Sequence, residues 1–148
     1  MPEIRLHLAT ELTPLWHATE SYLNQININA PFWAFAWVGG QALARYILDD
    51  PEAAAGLHVV DIGSGGGIVS IAAALAGAAH VTALDIDPMA ATVCGLNAAL
   101  NGVEDRITTI VGDAITYDFG PFDLILVGDV CYTRGESAEL ADHLRQAA

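Results

Sequence analysis

Positive charge is scarce in this chain. Its 148 residues carry 5 basic side chains, all of them arginine, against 18 Asp and Glu, for a net charge of −13 at pH 7. Phosphate binding needs a basic face, so this balance speaks against nucleic acid as a partner. It permits a basic protein or a cationic substrate, while also serving solubility. The chain is 53% hydrophobic, yet it holds no unbroken run of ~18 apolar residues, so no membrane span is expected. The short apolar stretches around Arg5 and His7 form no signal-peptide pattern. Cysteine is equally sparse: Cys94 and Cys131 stand at no metal or redox spacing, and a reducing cytoplasm is the expected compartment. The histidines at 7, 17, 58, 80 and 143 share no spacing, so no metal site is expected.

The length fits one domain with a sizeable core. Residues 1–52 form a leading part. Ile4, Leu6 and Leu8 alternate with Arg5 and His7, predicting a short strand. Thr13-Pro14 opens a helix carrying Leu15, Trp16, Thr19, Tyr22, Leu23 and Ile26 on one face. An aromatic segment, 32–37, ends at Gly39-Gly40, from which a further helix runs to Asp50-Pro51. From 53 to 148 the chain takes a β-α-β rhythm. Strands are predicted at 57–62, 81–84, 107–111 and 122–127. Helices are predicted from Ile68 to Leu75, stopped by Gly77, from Asp87-Pro88 to Asn101-Gly102, and over 136–146. The strands are near-continuous Val/Ile/Leu runs, as in an α/β parallel sheet covered on both faces.

The sharpest motif is Asp61-Ile62-Gly63-Ser64-Gly65-Gly66-Gly67-Ile68, an apolar strand feeding a glycine turn that opens a helix. Ligands of such sheets sit at the carboxyl ends of the strands. Gly63, Ser64, Gly65 and Gly67 occupy that place, where the backbone turns sharply and a ligand approaches it without a Cβ in the way. Asp85 ends the second strand, where a carboxylate can take both hydrogen bonds of a ribose diol, with Ile86 beside it. Asp113 follows the third strand, in place for an adenine amino group. A dinucleotide fingerprint would put its third glycine at position 68, which is Ile68. The turn holds no Lys or Arg for phosphate, and Asp61 suits a cationic amine such as the methionine end of S-adenosylmethionine. Each residue also has a plainer role: the turn as an ordinary βα connection, Trp37 and Trp33 as core or lid, Asn97 and Asn101 as partners of helix backbone, Asp129 as a helix cap, and Tyr132 as packing.

With these residues in view, the chain resembles the class I S-adenosylmethionine-dependent methyltransferases. Within them it is similar to the lysine methyltransferases of the electron transfer flavoprotein beta subunit. The narrower resemblance rests on 2–8, on 31–46 with Trp37-Val38-Gly39-Gly40-Gln41, on 60–101 with Asp85-Ile86-Asp87-Pro88, and on Gly128-Asp129-Val130-Cys131-Tyr132. It implies a Rossmann-like sheet of order 3-2-1-4 and S-adenosylmethionine as cofactor, held by Trp37, Asp61, the glycine turn, Asp85, Ile86, Asp113 and Asp129. It also implies an acid-x-x-Tyr pair, Asp129 and Tyr132, that places a lysine of a protein substrate, the electron transfer flavoprotein beta subunit. In a eukaryote the compartment would be the mitochondrial matrix.

Ribosomal protein L11 methyltransferases share the glycine turn and the Asp-Ile-Asp-Pro but lack the Asp129/Tyr132 pair, and they stand as the alternative. The resembled fold continues past its fourth strand, so the fifth to seventh strands are expected to be missing here. A second alternative follows from that expectation: a truncated, non-catalytic cofactor-binding module with strand four as an apolar edge.

Overall fold

A computed structural model describes residues 2–9, 31–130 and 134–147. Four parallel strands, β1 (His58–Ile62), β2 (His80–Asp85), β3 (Ile107–Val111) and β4 (Leu124–Val127), form one sheet in the order β3-β2-β1-β4. This is the predicted topology. Val59 lies opposite Val81 on one side and Leu124 on the other, and Thr82 lies opposite Thr108. β4 starts two residues later than expected. Asp123 instead anchors the strand start, donating its N–H to His58 O at 2.9 Å and taking the His58 N–H on Oδ2 at 2.8 Å.

The helices are α1 (Val38–Asp49), α2 (Ile68–Leu75), α3 (Pro88–Leu100) and α4 (Arg134–Ala147). α2 is almost wholly apolar and buried, and its run Ala72-Ala73-Ala74 lets α1 and the sheet approach from both sides. α3 begins on Asp87, whose side chain accepts from Met89 N, with Pro88 at the first helical position. Gly77, at φ +95°, ends the α2 turn as the sequence implied.

Side chains alternate across the sheet. Val59, Val81, Leu124 and Leu126 share a core with Ile4, Ala44, Ile47 and the α2 alanines. Val60, Ile62 and Leu84 face the other way, against Phe119 and, on α4, Leu140. Both faces are therefore covered, as the continuous apolar strands require.

The segment around Ile4–Leu8 is extended but is not a strand, which corrects the expectation from alternation. Its backbone partners are side-chain amides. Arg5 N donates to Asn101 Oδ1 at 2.9 Å, Asn101 Nδ2 donates to Arg5 O at 2.7 Å, and His7 N donates to Asn97 Oδ1 at 2.7 Å. Asn97 on α3 and Asn101, which caps the carboxyl end of that helix, thus stand in for a neighbouring strand. The helix expected after Thr13 lies outside the described residues.

Candidate functional site

A cleft of about 580 Å³ opens at the carboxyl ends of the four strands, within the usual range for a small-molecule site. Asp61, Gly63, Ser64, Gly65, Asp85, Ile86, Asp113, Asp129 and Trp37, all singled out in the sequence, line it. Gly67 is the exception. It does not line the cleft, and its glycine answers to packing: φ is +83°, and a Cβ there would lie 2.5 Å from Cys94 Sγ. Tyr132 lies outside the described residues.

The turn is built locally. Gly63 N and Ser64 N both donate to Leu84 O, at 2.8 and 3.1 Å, which pins the turn to the end of β2. Gly63 adopts φ +65°, and a Cβ on it would collide with Val130 Cγ1 at 1.9 Å, so the loop after β4 closes over the turn. Asp85 fastens the turn from the side: its Oδ2 accepts from Gly65 N at 2.8 Å and its Oδ1 from Asp87 N at 2.9 Å. Asp113 Oδ1 accepts from Ile115 N at 2.9 Å, shaping the loop after β3. A carboxylate oxygen has two lone pairs, so these bonds leave acceptor capacity at both residues.

Asp61 is 2% exposed, and its Oδ2 accepts from Ser70 N at 2.9 Å and Ser70 Oγ at 2.6 Å. Burial pushes its carboxyl up to about 7; the Ser70 hydrogen bonds oppose that rise, and the charge of Asp85 adds to it. Burial, with the charges of Asp61 and Asp85, pushes the neighbouring Cys94 thiol up to about 12. Ser64 Oγ is buried in the cleft lining with no hydrogen-bond partner among the described residues. Such an orphan implies a group that arrives from outside the chain.

The far wall is assembled over a long stretch of sequence. Asp129 Oδ1 accepts from Gly39 N at 3.1 Å and its Oδ2 from Gly40 N at 2.6 Å, so one carboxylate caps the amino end of α1. The helix it caps lies about 90 residues earlier in the chain. A Cβ on Gly39 would lie 2.6 Å from Asp129 Oδ1 and push the carboxylate from its place, and Gly128 backs onto Gly40 Cα. Trp37, just before the helix, donates its indole N–H to Phe32 O at 2.8 Å and meets Phe35 edge-on at 6.0 Å between centroids. The two motifs that looked separate in the sequence, Trp-x-Gly-Gly and the acid after strand four, are one joint.

Five aspartates (61, 85, 87, 113 and 129) line the cleft, and no Lys, Arg or His does so among the described residues. The described guanidinium groups are engaged elsewhere: Arg5 on Leu100 O, Arg45 on Glu3 and Asp49, Arg106 on Ala74 O, and Arg145 on Asp142. Among the described residues, no group of His, Cys, Asp and Glu is placed to hold a metal ion. Leu6, Leu8, Phe32, Trp33 and Asp87 also line the cleft. The sequence alone reads Trp33 as core or lid and Asp87 as a helix cap, and it assigns Leu6, Leu8 and Phe32 no contact with a ligand.

Residues 41–128 match the family model for ribosomal protein L11 methyltransferase (PrmA). The electron transfer flavoprotein beta subunit lysine methyltransferase of Rattus norvegicus is 38% identical over 97% of this chain and 53% of its own length. The chain therefore spans about half the length of the curated relatives it matches. Among solved structures, ribosomal protein L11 methylase from Lactobacillus delbrueckii subsp. bulgaricus aligns with TM-score 0.58 and 30% identity, over 76% of this chain and 54% of that one. Magnesium protoporphyrin IX methyltransferase from Synechocystis, solved with bound SAH, aligns with TM-score 0.61 and 25% identity, over 74% of this chain and 50% of that one. The fold is the Rossmann-like class I methyltransferase fold.

Proposed function

The chain belongs to the ribosomal protein L11 methyltransferase (PrmA) family, and from that membership we propose that its cleft holds S-adenosylmethionine for methylation of a protein lysine, with the electron transfer flavoprotein beta subunit as substrate. The observation that carries the cofactor reading is charge: five aspartates and no basic side chain in the described lining. That field repels a phosphate-bearing nucleotide and attracts a ligand with a sulfonium and an ammonium. It also opposes a nucleic acid partner.

The residues fit the cofactor. Ser64 Oγ is a buried hydroxyl in the lining with no partner among the described residues, and Gly63 and Gly65 leave the backbone open to close approach. Asp85 and Asp113, at adjacent strand ends, offer acceptors for a ribose diol and an adenine amino group. Asp61 supplies the counter-charge to an ammonium, and Trp37 with Phe35 forms an apolar wall. When bound, S-adenosylmethionine supplies a methyl group activated by its sulfonium. Asp129 holds that wall through α1 and places a carboxylate where a cationic lysine amine approaches. The role of Tyr132 in orienting the amine rests on the D-x-x-Y motif alone. Dehydration and alignment, more than strong acid–base help, are what the amine needs for attack.

The lysine assignment is supported by relatives of that name matching 97–98% of this chain. A second reading, methylation of ribosomal protein L11, is supported by the family model over 41–128. Labelled S-adenosylmethionine offered with purified electron transfer flavoprotein and ribosomal protein L11 separates them. Label on lysine of the beta subunit is the expected result; label on L11 alone supports the second reading. Label on nucleic acid, carboxylates or small molecules with none on lysine overturns both. Cofactor binding without transfer to any protein supports a non-catalytic binding module. The free, buried Cys94 thiol fits a reducing compartment, the cytoplasm or, in a eukaryote, the mitochondrial matrix.

A further inference from the structure

Gly66 is the one glycine of the turn that the D-x-G-x-G-x-G spacing does not call for. Unlike Gly63, Gly65 and Gly67, it is not at positive φ. Two neighbours explain it: a Cβ on Gly66 would lie 3.0 Å from Trp33 O and 3.5 Å from Asn97 Nδ2. The carbonyl of Gly66 in turn accepts from Asn97 Nδ2 at 2.8 Å, while Asn97 Oδ1 accepts from His7 N at 2.7 Å. Asn97 is 0% exposed, so leaving its own amide unmet would be costly. Its one side chain therefore joins the glycine turn to the extended segment 4–9. Beyond it Asn101 holds Arg5, and Ala9 N donates to Ala34 O at 2.8 Å in the aromatic segment. Leu6 and Leu8 of the segment line the cleft that the turn also lines.

We propose that Asn97 is a positioning residue that docks the amino-terminal segment, residues 4–9, onto the glycine turn, so that the segment forms a wall of the cofactor site and closes together with it. A ligand that orders the turn then orders the segment through a single amide, and loosening the segment loosens the turn. The docking stands on the hydrogen bonds alone; the ligand coupling rests also on the cofactor reading above.

The test combines hydrogen exchange localised to residues 4–9 with calorimetry using S-adenosylhomocysteine on the whole chain. In the wild type, residues 5–9 are protected without ligand and gain further protection with it. Asn97→Ala loses the ligand-free protection at His7 and binds the ligand at least tenfold more weakly. Asn97→Asp keeps the acceptor for His7 N but loses the donor to Gly66 O. It therefore retains ligand-free protection and loses the ligand-dependent gain. Gly66→Ala, with Asn97 untouched, also weakens binding, because it displaces the Asn97 amide and Trp33. Asn101→Ala exposes the Arg5 amide and changes affinity by twofold or less.

Unchanged exchange at 5–9 in Asn97→Ala overturns the docking. Unchanged affinity in both Asn97→Ala and Gly66→Ala overturns the coupling. A wild-type chain that binds no S-adenosylhomocysteine overturns the cofactor reading and the coupling together, while the ligand-free exchange still decides the docking.

Discussion

The two walls of the cleft are built on opposite principles. The turn wall is local: Asp61 to Gly67 is one continuous stretch, fastened by Leu84 and Asp85 of the next strand. The Trp37 wall is remote, resting on one carboxylate that reaches back across about 90 residues to the amides of Gly39 and Gly40. The turn wall is a product of the βαβ unit and forms wherever that unit forms. The remote wall exists only once α1 and the end of β4 have met. Damage to the first should cost the fold as well as the site. Damage to the second should cost the site more than the fold.

The turn wall is most vulnerable at Gly67. Gly67→Ala places a Cβ at positive φ and against Cys94, and should cost roughly 3 kcal/mol from backbone strain and overpacking together. Urea unfolding measures the loss, and binding of S-adenosylhomocysteine should fall with it.

At the remote wall, Asp129→Ala removes both acceptors from the α1 amides, a loss of about 2 kcal/mol. Asp129→Asn keeps one acceptor and should lose about half of that. Gly39→Ala attacks the same joint from the other side and should match Asp129→Ala in stability with the carboxylate still present. If Gly39→Ala is as stable as the wild type while Asp129→Ala is not, the joint is not what Asp129 contributes. Quenching of Trp37 fluorescence by acrylamide should rise in both variants.

A third measurement reads the turn wall through its buried acid. The Asp61 carboxyl titrates near 7 in the folded chain, above the ordinary carboxylate value of about 3.9. The folded state therefore binds the extra proton between those two values. The contribution of Asp61 to stability is full below about pH 4 and is lost as pH rises through about 7. Asp61→Asn, which can still accept from Ser70, should remove that slope. Relative to the variant, the wild type should lose roughly 2.5 kcal/mol between pH 5 and 8. A cationic ligand favours the charged form, so binding near pH 7 should release a proton, detectable by calorimetry in buffers of different ionisation enthalpy.

The smallest effect is an expected silence. With its thiol pushed up to about 12 by burial, Cys94 should resist iodoacetamide at pH 8 in the folded chain and react only on unfolding. Mass spectrometry at Cys94 checks this directly, and fast alkylation would mean that the packing behind Gly67 is open.

The pattern of what was legible follows the same division. Val59 to Ile62, the glycines, Asp85 and the Asp87-Pro88 start of α3 were all readable, because propensity, capping and turn chemistry act over a few residues. The alternation of Ile4, Leu6 and Leu8 misled in kind: the segment is extended, but its hydrogen bonds go to Asn97 and Asn101 rather than to a strand. From sequence the two asparagines are expected to serve helix backbone. Asn101 Nδ2 does donate to Asn97 O, while the Asn97 side chain ties the segment to the turn. Nothing in the spacing of an asparagine shows which distant amide it will meet.

Composition and short-range pattern are enough to order the strands and helices along the chain, to put the glycine turn and the acids at strand ends, and to deprive that region of positive charge. Tertiary structure alone decided that Asp129 closes on Gly39 and Gly40, that Asn97 bridges His7 and Gly66, and that Asp61 titrates near neutrality. Each of these depends on which groups lose water together, and that is fixed only when segments far apart in the chain are packed against one another.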